Sequence, residues 1–169
     1  MDATAGQGRV LALRWLARRP LTEAEIRDRL AKKGLGDQEI ESTVGGLLEE
    51  RLIDDRTLAD AYIVLRSHRL YLGKDRLVRD LRKRGVEEEI AESAYRGAVE
   101  RGDLDPEELL RKALARRIGR ERERTTAARR RVYNALLRAG FSAAELYAEL
   151  GRQWSNDSVG HGYHDDEGA

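Results

Sequence analysis

Three histidines, His68, His161 and His164, are the only imidazoles in this chain of 169 residues, and it has no cysteine. Without thiols there is no thiolate nucleophile, no disulfide and no thiolate zinc site. His161 and His164 stand beside Asp165 and Asp166. That spacing could hold a divalent ion weakly, but the stretch is Gly- and Asp-rich and reads as solvated. His68 sits among basic residues and reads as exposed. Gly73-Lys74 resembles the end of a phosphate-binding loop, yet Asp75 stands where Ser or Thr is required and His68 where the first Gly should be. The adjacent Asp54 and Asp55 suit a helix cap better than a general acid/base pair. No dinucleotide-binding glycine fingerprint occurs. No residue set calls for catalysis, a cofactor or a metal, and the expectation is a binding module.

The charged residues are the other group able to do chemistry. They make up 37% of the chain, 32 Lys+Arg against 31 Asp+Glu, for a net charge of +1. The balance conceals blocks. Residues 9–33 carry eight basic and three acidic groups, 37–55 one and seven, 66–84 eight and two, 87–108 two and nine, and 111–131 ten and two. The sign alternates with a period of about fifty residues. Two readings stay open: salt-bridged helices, or basic segments that line up to meet a polyanion or an acidic surface.

The elements that position these groups are helices. Period-2 alternation is nearly absent, and both prolines, Pro20 and Pro106, fall where helices would begin. Starts are marked by Thr22 with Glu25 and by Ser142 with Glu145, two capping boxes, each with an apolar staple: Leu21 with Ile26, and Phe141 with Leu146. Asp54 and Asp105 read as further caps. Stops are marked by Gly34, Gly85 and Gly140, each followed by an apolar residue. Eight residues before these glycines stand Ile26, Leu77 and Val132; four before stand Leu30, Leu81 and Leu136; five or six after stand Ile40, Ile90 and Leu146. The match at fixed offsets is an internal repeat.

The reading is nine helices, near 8–18, 23–33, 37–50, 55–71, 74–84, 87–101, 106–123, 126–139 and 143–152. They group as three three-helix repeats over 8–52, 53–103 and 104–152, with a disordered tail over 153–169. Gly45 and Gly46 fall inside the third helix, where close helix packing is expected to account for two costly residues. No apolar run reaches the length of a membrane span, and the N-terminus lacks a signal-peptide layout, so a cytoplasmic protein with no membrane association is expected.

The repeat also carries a family signature. "ALRWLARRPLTEAEIRDRLAKKGL" at 12–35 resembles the opening of the bacterial regulatory protein RecX family, in Leu13, Leu16, Arg19, Thr22, Glu25, Ile26, Leu30 and Gly34. "ERLIDDRTLADAYI" is similar to its next junction, in Leu52, Asp54, Asp55, Leu58 and Ala59. "LVRDLRKRGV" and "ALLRAGFS" resemble its later Leu-x-x-x-Gly segments. Leu58 replaces the family's usual aromatic, and Leu72 precedes Gly73 where Arg is common. The resemblance covers about residues 10–152. It implies an elongated all-α array of three tandem three-helix repeats. It also implies binding to the RecA recombinase, chiefly as a filament on single-stranded DNA, and inhibition of RecA's ATPase, strand exchange and coprotease activities in DNA repair, recombination and the SOS response. The chain is expected to be a monomer.

Joined to the charge pattern, the resemblance favours Arg69, Lys74, Arg76, Arg82, Lys83 and Arg84 as contact residues, and Arg116, Arg117, Arg120 and Arg124 as a second set. Positions 76, 82 and 83 fall off the Leu77/Leu81 stripe and are expected to be solvated. The alternative is a sequence-independent or helix-turn-helix-like DNA-binding protein.

Overall fold

Helix boundaries follow the capping chemistry. The computed structural model describes residues 3–156, which form nine helices and no strand: α1 (Ala3–Leu16), α2 (Glu23–Lys32), α3 (Asp37–Glu49), α4 (Asp55–Leu70), α5 (Lys74–Lys83), α6 (Glu88–Glu100), α7 (Pro106–Ile118), α8 (Thr126–Arg138) and α9 (Ala143–Asn156). The Thr22 hydroxyl accepts from the Glu25 amide at 3.1 Å, and the Glu25 carboxylate accepts from the Thr22 amide at 3.2 Å. Asp105 accepts from the amides of Glu107 and Glu108, with Pro106 opening α7. The Ser142 hydroxyl accepts from the Glu145 amide at 3.3 Å and donates to its carboxylate at 2.6 Å. Asp54 caps α4 through the amides of Arg56 and Thr57 and the Thr57 hydroxyl. Its neighbour Asp55 caps a different helix, accepting from the Glu23 amide at 3.0 Å. Both carboxylates of that pair serve as helix caps.

The three stops are also alike. Gly34, Gly85 and Gly140 have φ of 83°, 87° and 90°, a region that L side chains rarely adopt. The next residue in each case donates back to a leucine carbonyl: Leu35 to Leu30 at 3.3 Å, Val86 to Leu81 at 3.2 Å, and Phe141 to Leu136 at 3.2 Å. The same bond pattern closes each helix.

Three expectations need correction. The α7 helix ends at Ile118, not near 123, because Gly119 caps it and the Arg/Glu run that follows has no apolar stripe to bury. The helix α1 begins by Ala3 and α9 continues to Asn156. A Cβ built on Gly45 or Gly46 meets nothing within 4 Å, so neither glycine serves close packing. The rest of the proposed tail, with His161, His164, Asp165 and Asp166, lies outside the described residues.

The chain divides into two compact units, Met1–Arg66 with Leu77–Leu104, and Ser67–Arg76 with Asp105–Ala169. In the first, α1, α2 and α3 pack mutually around Ala12, Leu21, Ile26, Leu30, Ile40, Val44, Leu47 and Ile53. In the second, α7, α8 and α9 pack mutually, and Leu114, Val132, Leu136, Phe141, Leu146 and Leu150 are buried. The division departs from the fifty-residue period and falls inside α4 and α5. Its cause in the second unit is a pair of backbone bonds: the Gly73 amide donates to the Ala139 carbonyl at 2.8 Å, and the Asp75 amide to the Gly140 carbonyl at 3.2 Å. These fix the start of α5 onto the end of α8.

Candidate anion-binding surface

Arg84 follows α5, and its side chain is mostly buried. Its guanidinium donates twice to Glu25, Nε to Oε1 and Nη2 to Oε2, both at 3.0 Å, and once to the Pro20 carbonyl at 3.2 Å. It also lies 5.8 Å from the centroid of the Tyr62 ring. Burial pushes the Glu25 carboxyl up, but Arg84, the Thr22 amide and Arg19 outweigh it and hold the group down at about 2. Arg84 is thereby a structural cation of the first unit. Burial raises the Asp55 carboxyl above its ordinary value.

Arg82 and Lys83 are exposed, as their place off the Leu77/Leu81 stripe requires. Arg82 pairs with Glu88 at 3.2 Å, both side chains more than half open to water, an arrangement worth little. Arg76 is half-buried rather than solvated, because the Gly140 turn lies against its backbone. Arg69 and Lys74 are exposed members of the second unit, and His68 is exposed as well.

The second unit gathers the later set. Arg116 lies over the Tyr71 ring at 5.3 Å, and Arg124 over the Trp154 ring at 5.0 Å. Arg116, Arg117 and Arg120 line a concavity of about 110 Å³ with Leu70, Tyr71 and Leu72. Tyr71 holds φ 54°, uncommon for a side chain with a Cβ. Arg117 and Arg120 also line a second concavity of about 400 Å³, completed by Glu121 and by Arg131, Asn134 and Arg138 of α8. The sequence reading missed these α8 residues. The signal was available: positions 131, 134 and 138 share one helical face, opposite the buried Val132 and Leu136.

A third concavity, about 670 Å³ between α7 and α9, is lined by charges of both signs. Burial pushes its Glu149 carboxyl up, but Gln153 and Arg152 outweigh burial and hold it below the ordinary range. Glu149 accepts from Arg152 Nε at 2.8 Å and from Gln153 at 2.9 Å, which makes it part of an ion-pair network. Among the described residues, no group of three His, Cys, Asp or Glu could hold a metal ion, and no helix is long and apolar enough to cross a membrane.

Capped helices, with α1–α3 and α7–α9 each packed mutually, define an all-helical scaffold that carries exposed arginines on its second unit. The family model described as "RecX, first three-helix domain" matches residues 9–47. The regulatory protein RecX of Mycobacterium leprae is 34% identical over 160 residues, covering 87% of this chain and 90% of that protein. The regulatory protein RecX of Thermobifida fusca is 31% identical over 142 residues, covering 83% and 75%. This chain belongs to the RecX family of regulatory proteins. A crystal structure of RecX from Lactobacillus salivarius shares the fold, with a TM-score of 0.73 at 21% identity over 92% of this chain and 99% of that one. A second, of regulatory protein RecX, gives 0.76 at 21% identity over 88% and 73%.

Proposed function

We propose that this chain binds the RecA recombinase, chiefly as its filament on single-stranded DNA in the cytoplasm, and lowers RecA's ATPase, strand exchange and coprotease activities. The observation that carries this reading is the identity of 31–34% to RecX proteins over 75–90% of their length. A filament exposes protein surface with DNA in its groove, and a helical scaffold bearing exposed arginines can pair with acidic protein surface or phosphate. Contact there would oppose filament extension or the closure between protomers that ATP hydrolysis needs.

The contact residues in this proposal are Arg69, Lys74, Arg82 and Lys83, with Arg116, Arg117, Arg120 and Arg124 as the second set. Arg84, which pairs internally with Glu25, and Arg76, half-buried at the Gly140 turn, are set aside in this proposal. The test is the DNA-dependent ATPase of the cognate RecA at substoichiometric amounts of this chain. Inhibition is the expected result, and full ATPase activity at every ratio would refute the reading. Arg82→Glu with Lys83→Glu is expected to weaken inhibition while changing the melting temperature little, since both side chains face water. A folded variant that inhibits fully would move the contact to the second unit's arginines.

A further inference from the structure

We infer that the groove between the end of α7 and α8 in the second unit is a phosphodiester-binding track whose affinity is held down by its own carboxylate, Glu121. The groove is lined by Arg117, Arg120, Arg131, Asn134 and Arg138 around Glu121. All its cations are arginines, whose planar fork binds phosphate oxygens two at a time. Glu121 is the acid among these lining residues. Its carboxylate accepts from Arg131 Nη2 at 2.6 Å, and its side chain is 19% exposed against 63% for Arg131. The carboxylate therefore lies within the groove, with the arginine reaching over it towards water. A carboxylate bound to the cation in this way occupies the place an incoming anion would take.

The shape favours an extended polyanion over an acidic protein surface. Arg131 and Arg138 are seven residues apart on α8, about 10 Å along its axis. Successive phosphates of one strand advance by about 3.4 Å in a duplex, so this row matches several phosphates rather than one carboxylate. The concave surface continues along α8 past Asn134 and Arg131 to Arg130. A protein partner would be expected to bring an apolar anchor, but among the described residues the groove's apolar lining is the buried Val132 and the half-buried Ala135. Among the described residues no aromatic ring lines this concavity, so contacts would run to the backbone and ignore base sequence.

The inference concerns this chain without RecA, so its test is independent of the proposed function. The full chain is titrated into a labelled oligothymidylate of roughly thirty nucleotides, read by fluorescence anisotropy across a salt series. Glu121→Gln frees Arg131 for one further phosphate. One added contact should steepen the slope of log K against log salt by about 0.7 and tighten binding about fivefold at 0.1 M salt. Arg117→Ala with Arg120→Ala should flatten the slope by up to about 1.4. Arg82→Ala with Lys83→Ala, in the other unit, should change it less.

A thermal melt of each variant shows whether it is folded, and the arginine pairs decide the matter alone if Glu121→Gln does not fold. An unchanged affinity and slope for folded Glu121→Gln would overturn the inference. So would an Arg82/Lys83 effect as large as that of Arg117/Arg120. Polyglutamate that competes as well as the oligonucleotide at equal charge would overturn the phosphate assignment in favour of an acidic protein surface.

Discussion

Glu25→Gln is expected to change the acid stability of this protein. Glu25 accepts two bonds from Arg84 at 3.0 Å, two from Arg19 at 3.3 and 3.4 Å, and one from the Thr22 amide at 3.2 Å. Burial opposes its ionisation, and these donors outweigh burial, bringing the carboxyl from an ordinary 4.5 down to about 2. A displacement of that size corresponds to about 3 kcal/mol. The Glu25 side chain is 20% exposed, so water screening lowers the figure to about 2–3 kcal/mol. A carboxyl held below its ordinary value favours the folded state while it is ionised. The contribution is complete above pH 4.5 and is lost as pH falls towards about 2.

The assay is urea unfolding of wild type and Glu25→Gln at intervals from neutral pH to about pH 2. The variant should be less stable by about 2–3 kcal/mol at neutral pH. The difference should shrink by that amount, to about zero, as pH falls from 4.5 towards about 2, where a protonated carboxyl and an amide are near-equivalent hydrogen-bonding groups. Asp54, Glu50 and Glu149 are also held below their ordinary values, but they remain in both proteins and cancel in the difference. A stability difference that stays constant across the whole range would refute the reasoning, because a packing defect has no such pH dependence.

Gly45→Ala and Gly46→Ala should each stabilise α3 by about 1 kcal/mol, since a Cβ at either position meets nothing and Ala is the better helix former; thermal melts check this. Leu30→Ala, Leu81→Ala and Leu136→Ala remove side chains that are 0%, 0% and 1% exposed, and each should cost about 2–5 kcal/mol in denaturant melts. Gly34→Ala should cost about 1–2 kcal/mol for its positive φ alone. Gly140→Ala should cost well more, because its Cβ would also collide with the Arg76 amide nitrogen; similar losses from the two would refute the close approach.

The elements were legible in the sequence wherever their determinants are local. Thr22 with Glu25, Asp105 with Pro106, and Gly140 with Phe141 each act within a few residues, and each boundary they mark is found. The core register was legible for the same reason: of the nine repeat-matched positions, all but the half-buried Ile90 are buried. The surface was less legible because its groups are paired across long separations. Nothing near Arg84 in sequence reveals that Glu25 takes its charge, so it reads like its neighbours Arg82 and Lys83. Arg131 and Arg138 meet Arg117 and Arg120 only after the connection after α7 turns, which also places Glu121 among them. Gly45 and Gly46 invited a packing role that only the empty space around them dispels.

The two turns that follow α5 and α8 show why arginines of one charge block are not equivalent. Thr22 and Gly73 each lie twelve residues before a turn glycine, Gly34 and Gly85. Both donate to a carbonyl just ahead of the next such glycine: the Thr22 hydroxyl to Arg84 at 2.6 Å, and the Gly73 amide to Ala139 at 2.8 Å. The glycine after each acceptor then lies against the start of a helix, Gly85 at Ala24 and Gly140 at Arg76, too close for any Cβ. One geometry thus recurs within each unit. At the first turn the acceptor residue is an arginine whose side chain adds the bonds to Glu25, while at the second it is an alanine that adds none. A cation at that position therefore serves the fold. Cations able to meet a partner must lie on faces that these turns leave open, which is where Arg82 and Lys83 stand on α5, and Arg131 and Arg138 on α8.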